Sequence, residues 1–210
     1  MHERYLVMDN STDIIDDFVG IVSGDPLDTA RKARPDARTH AQGSFEALFR
    51  PEFPGTVTET ERYAVAAFVA ALHDQAQITE FYRQALDRSS AGNPAIMAAV
   101  MSEAAHGRTI GPYGAYPPGP LEVESVPGPE FFIDEGVETY VLGKRLAAAL
   151  THAHLLVLHP RDASKKRLQR LLDAGWSTTD IVTLSQVISF LSYQIRVATG
   201  LSVLKEASAP

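Results

Sequence analysis

Cysteine occurs at none of the 210 positions of this chain. Its absence excludes disulfides, thiolate metal sites and any thiol redox cycle within the chain itself. Basic runs are missing too. The net charge is −7, with 19 Lys and Arg against 26 Asp and Glu, which argues against nucleic acid or an anionic membrane surface as the main partner. No stretch of apolar residues reads as long enough to span a bilayer. The opening MHERYLVMDNSTD has neither the basic n-region nor the apolar h-region of a secretory signal. The expectation is a cytoplasmic protein with no nucleic-acid and no membrane partner. Alternating strand patterns are also absent, so the predicted fold class is all-α.

The composition present, 45% hydrophobic and 21% charged, is that of an ordinary globular protein able to bury a substantial core. Three regions follow from punctuation. Residues 1–106 read as an N-terminal helical lobe, 107–135 as a connecting loop and 136–210 as a C-terminal helical lobe. In the first region, Ser11 or Thr12 caps a short helix carrying Ile14, Ile15, Phe18 and Val19. Gly24-Asp25-Pro26 breaks it, and a second short helix stops before Pro35. A third runs from Pro35 to Phe49, and Asn93-Pro94 opens another that ends at His106. The connecting loop holds six prolines in GPYGAYPPGPLEVESVPGP; a loop of that length is usually functional or wraps a neighbouring surface. The C-terminal region gives an apolar helix to Leu158, a basic helix to about Ala174, and a last helix from about Ser177 to Thr199 closed by Gly200.

The central stretch is Thr58 to Tyr82, TETERYAVAAFVAALHDQAQITEFY. Thr58 and Glu61 form a capping-box signature ahead of an apolar run with almost no polar face, which predicts a helix buried nearly all round. Ser177 to Asp180 repeats that box before a second apolar run of matching length. The two runs end in small polar clusters, His73-Asp74-Gln75 and Ser192-Tyr193-Gln194. A duplicated helical unit explains the pair economically.

A loop, a capping box whose acid opens an alanine-rich helix, and a polar cluster about twelve residues later resemble the carboxymuconolactone decarboxylase and alkylhydroperoxidase D superfamily. The stretch LLDAGWSTTDIVTLSQVISFLSYQIRVATGL resembles the C-terminal helix of its two-lobed, peroxidase-related branch. The resemblance implies an all-α fold of two pseudo-repeated helical lobes, and a homo-oligomer (dimer, trimer or hexamer). Redox-active members carry a glutamate, then Cys-x-x-Cys, then a histidine. Counting from Glu61 puts His73 and Ala76 at the cysteine positions and Glu80 at the histidine. Counting from Tyr-Arg-Gln-Ala-Leu puts Gln75 and Ile78 at the cysteines and Tyr82 at the histidine, with Tyr63 replacing the glutamate. The first register keeps the acid with its capping box. Neither contains sulfur, so thiol peroxidase chemistry is excluded.

The candidate catalytic residues are therefore Glu61, His73 and Glu80. Gln77, Tyr82 and Arg196 are candidate substrate-binding residues, with His73, Gln77 and Glu80 placed at i, i+4 and i+7 on one helical face. Arg196 is also read as a partner for a carboxylate of substrate, of Asp180 or of Glu61. No cofactor and no metal are expected. His152 and His154 point about 200° apart on a helix, and His154 and His159, five apart, are no better placed to chelate. Each is read as meeting one hydrogen bond at the lobe interface. Two functions remain open: acid–base chemistry on a small organic substrate in a buried inter-lobe or inter-subunit pocket, or a non-catalytic member that binds a ligand or partner and supports a redox-active relative.

Overall fold

The computed structural model describes residues 13–133 and 136–207. Among them are nine α-helices and no strand: α1 Ile14–Val19, α2 Pro26–Lys32, α3 Pro35–Phe49, α4 Glu59–Leu72, α5 Ala76–Ser89, α6 Pro94–His106, α7 Val137–Leu158, α8 Lys165–Asp173 and α9 Thr178–Ala207. The all-α expectation holds. Ser11 and Thr12 lie outside the described residues, and the N-cap of α1 is Asp13, whose carboxylate accepts from the amides of Ile15 and Asp16.

Helix α4 is the centre. Ala64 through Ala70 are each at most 1% exposed, because small side chains let α5, α6, α7 and α9 approach it from several sides. Its capping box forms as the sequence predicts: Thr58 Oγ1 accepts from the Glu61 amide at 3.2 Å, and Glu61 Oε2 accepts from the Thr58 amide at 2.8 Å. Arg62, one residue on, is 4% exposed and donates to three backbone carbonyls, Leu48, Pro54 and Val57. These bonds fasten the proline-rich 50–57 loop over the start of α4. Helix α9 packs against α1, α3 and α4 as well as α7, and the buried apolar side chains of both sequence regions join in one cluster.

Two sequence expectations are corrected here. Gly200 does not end α9, which runs on to Ala207. Tertiary contact outweighs the local signal, since Lys205 Nζ donates to the carbonyls of Val19 and Gly20 at the end of α1. By length and composition alone, Thr139–Leu158 and Thr178–Ala207 could each cross a bilayer, contrary to the reading of the bare sequence. Within this fold α7 is a core helix, with 61% of its apolar window buried.

Helix α7 is also broken. Gly143 sits at φ 72° and ψ 159°, a conformation that side-chain-bearing residues adopt only under strain. The break offsets the first turns of α7 from the rest. Alongside α7 lies the 107–133 strap, held in part by a single bridge between Gly114 and Val126.

Candidate functional site

The predicted site residues are spread along the fold. Glu61 opens α4 and His73 ends it, twelve residues and about 18 Å of helix rise apart. His73, Gln77 and Glu80 do not share a helical face, because α4 stops at Leu72 and α5 starts at Ala76. Asp74, between them, takes a positive φ of 56°. Glu80 is exposed and holds Arg83 and Gln84 on its own helix. Gln77 is exposed. Tyr82 is fully buried and donates to Gln194 Oε1 at 2.5 Å, so it packs the core between α5 and α9. His73 is the chemically distinctive member. Its Nε2 is buried without a hydrogen-bond partner, and burial, helped by the Arg196 charge, lowers its pKa to about 4. The structure thus brings His73 and Arg196 within electrostatic reach of each other, while Glu61, Gln77 and Glu80 point elsewhere.

Glu61 meets a residue the sequence reading passed over. Arg145 Nε lies 2.6 Å from Glu61 Oε1, and its Nη2 lies 3.5 Å from Asp180 Oδ2. Asp180 closes the second capping box, accepting from the Ser177 amide while its own amide donates to Ser177 Oγ. Arg145 also donates to the Gly175 carbonyl at 2.6 Å and stacks 4.0 Å from the Trp176 ring. The two repeated boxes are therefore joined through one guanidinium. This partner replaces Arg196, which is exposed on α9.

Gln75 is the N-cap of α5, and Ile78 and Tyr82 behind it are buried. His73 is the C-cap of α4.

A cavity of about 320 Å³ opens elsewhere, between α7 and α8. Phe132 and Ile133, at the end of the strap, form one wall; Ala147, Leu155 and Leu171 form others. Lys144, Arg167 and Arg170 line it against a single carboxylate, Asp173, a local cationic excess on an acidic chain. Arg167 is held by Glu130 at 2.9 Å, and both arginines stack on Phe132.

His152 is the titratable group on the wall most withdrawn from water, at 5% exposure. Ser185 Oγ donates to the Ile181 carbonyl at 2.8 Å, so its contact with His152 Nε2 at 3.1 Å needs a proton on the imidazole. That fixes hydrogen on Nε2 and leaves Nδ1 as a bare lone pair. Nδ1 is buried and has no hydrogen-bond partner, and the same holds for Thr139 Oγ1 on the cavity lining. Burial lowers the His152 pKa to about 4, so the ring is neutral near pH 7. It is an acceptor and a potential base in a largely apolar recess. Its sequence signal was a histidine inside an otherwise apolar helix; the cavity beside it depends on α8 and the strap.

The other two histidines of this region contact each other. His154 Nδ1 lies 3.2 Å from His159 Nε2, His154 Nε2 2.9 Å from the Gly107 carbonyl, and His159 Nδ1 3.1 Å from Asp162 Oδ2. Their five-residue spacing meets because His159 has left the helix, at φ −143°. No group of three or more metal-ligating side chains is found among the described residues. No family model, no curated protein and no solved structure matches this chain.

Proposed function

We propose that the chain binds and transforms a small organic molecule by acid–base chemistry, with the α7–α8 cavity as the site and His152 as the group that exchanges the proton. The observation that carries this reading is that His152, a residue of the cavity wall, has a buried Nδ1 without a hydrogen-bond partner. A buried acceptor without a partner costs about 1–3 kcal/mol, a cost that a bound donor relieves. The cationic lining favours a substrate bearing negative charge, which would raise the imidazole's proton affinity and make it a stronger base than in the empty site. In this reading His152 takes the role that the sequence assigned to Glu61, His73 and Glu80.

The resemblance to the carboxymuconolactone decarboxylase and alkylhydroperoxidase D superfamily is kept within the proposal, as is a cytoplasmic homo-oligomer. In its favour are the all-α architecture, the paired capping boxes and the helix start at Gln75. Lack of cysteine moves the chemistry from sulfur to imidazole. One observation favours the second reading, a non-catalytic partner of a redox-active relative: α9 leaves Val182, Tyr193, Val203 and Leu204 exposed.

The test uses ¹⁵N-histidine NMR during titration with a panel of small organic acids and their neutral amides. Binding in the cavity moves the His152 Nδ1 resonance, and His152→Gln, which keeps a donor toward Ser185 but removes Nδ1, weakens it. Ligands that bind without moving that resonance would refute the site.

A further inference from the structure

We infer that His154, His159 and Asp162 form a one-proton latch that fastens the 107–133 strap to the end of α7. A count of hydrogens leads to it. The chain of contacts runs from the Gly107 carbonyl to His154 Nε2, from His154 Nδ1 to His159 Nε2, and from His159 Nδ1 to the Asp162 carboxylate, at 2.9, 3.2 and 3.1 Å. Its two outer ends, a carbonyl and a carboxylate, are acceptors only, so His154 Nε2 and His159 Nδ1 must both carry hydrogen. Two neutral imidazoles have then spent their protons, and the two inner nitrogens face each other as lone pairs. Both rings are 1% exposed. A third proton between the inner nitrogens completes all three bonds. Its positive charge is balanced by Asp162, so the closed unit is neutral as a whole.

The surroundings press in both directions. Burial pushes both imidazoles down; the Asp162 contact pushes His159 up, and the Arg167 charge from α8 opposes it. Glu130 pushes His159 up from the strap side. On the α6 side, His106 lies edge-on to Phe131 and within 3.6 Å of Glu103. Taken singly, burial holds His154 down to about 4 and His159 below its ordinary value; the third hydrogen bond, which forms only with the shared proton, works against that burial.

The strap is shaped to this unit. Tyr113 stacks on His159 at 4.7 Å and Phe131 on His154 at 4.2 Å. The Ala115 amide donates to Asp162 Oδ1, and the Tyr113 amide to the Leu158 carbonyl, both at 2.9 Å. A Cβ on Gly107 would fall 2.9 Å from the His154 ring, one on Gly111 3.0 Å from Leu158, and one on Gly114 2.9 Å from Asp162. Gly107 and Gly114 are where the strap backbone touches the latch. Deprotonation leaves the inner lone pairs opposed and loosens the strap. Since Phe132 and Ile133 continue from the strap into the cavity wall, the latch also governs access to the proposed site, a consequence that rests on the reading of His152.

Backbone amide exchange between pH 5.5 and 8.5, corrected for intrinsic rates, tests this. Protection of the Tyr113 and Ala115 amides is expected to fall at least tenfold as pH rises through the latch value. In ¹⁵N-histidine spectra the inner nitrogens of His154 and His159 should share one proton at pH 6. Asp162→Asn supplies its own hydrogen to His159 Nδ1, so its protection should be independent of pH. Two neutral rings at pH 6, or wild-type strap protection that does not change with pH, would overturn the latch. Neither result touches the His152 resonance, which reports the cavity through a different nitrogen and a different partner.

Discussion

Arg145 Nε stands 2.6 Å from Glu61 Oε1, across 84 residues of chain. The acid that opens the central helix is thereby committed on both oxygens, to Arg145 and to Thr58. Replacing Arg145 with Met strands two largely buried carboxylates, Glu61 and Asp180, and is expected to cost about 3 kcal/mol. Arg145→Lys should recover less than half, since an ammonium cannot serve both acids, the Gly175 carbonyl and the Trp176 face together. Urea denaturation of both variants checks this. Glu61→Gln should lower stability but leave ligand affinity at the α7–α8 cavity unchanged, as expected of a structural acid.

His152 makes the fold sensitive to acid. In the unfolded chain it protonates near 6.5, whereas burial holds the folded value at about 4. The unfolded state therefore binds more protons between these values, and stability falls as pH drops through that window. By pH 5 the loss from this group alone is about 2 kcal/mol. In His152→Gln the difference in unfolding free energy between pH 7 and pH 5 should shrink by about that amount. The latch runs the opposite way, present at mildly acidic pH and lost as pH rises.

Gly128 tests the strap without replacing any member of the latch. A Cβ there would lie 2.1 Å from the Tyr113 ring, so Gly128→Ala forces that ring off His159. The expected loss is about 1–3 kcal/mol, as for other overpacked sites. Hydrogen exchange should show the loss concentrated around Tyr113 and Val126, with α4 and α5 unaffected.

Tyr82 and Gln194 are a buried couple, and Gln194 Nε2 already lacks a partner. Tyr82→Phe leaves the glutamine oxygen unpaired as well, at about 1–3 kcal/mol. The double variant with Gln194→Met should cost less than the sum of the single changes. A thermal-unfolding double-mutant cycle reads the coupling. Tyr82→Phe should not alter ligand binding.

Much of the framework was legible because it is written in local chemistry. Pro35 and Pro94 start helices as their fixed φ suggests, and Phe49 and His106 end them. Both capping boxes appear as spelled. The break at His73-Asp74-Gln75 was harder, because a polar cluster suits an emerging helix as well as a pivot; Asp tolerates the positive φ found at Asp74, but nothing in the sequence requires it there. Arg145 was hidden for another reason: its partners lie 84 and 35 residues away, and only the packing of α4, α7 and α9 unites them. The cavity was illegible for the same reason, since it is the gap between two helices and the end of a strap. A five-residue spacing is poor for two histidines on a regular helix, but His159 is not helical.

The Lys205 contact has one more consequence. Its ammonium closes on the carbonyls of Val19 and Gly20, so the last turns of α9 lie beside the end of the short helix that opens the described chain. The two ends of the described chain therefore lie on neighbouring helices. A circularly permuted chain, joined near these two helices by a short flexible linker and opened at the exposed Pro117–Pro120 bend of the strap, should reach the same packed core. Sequence order would change while every helix kept its neighbours.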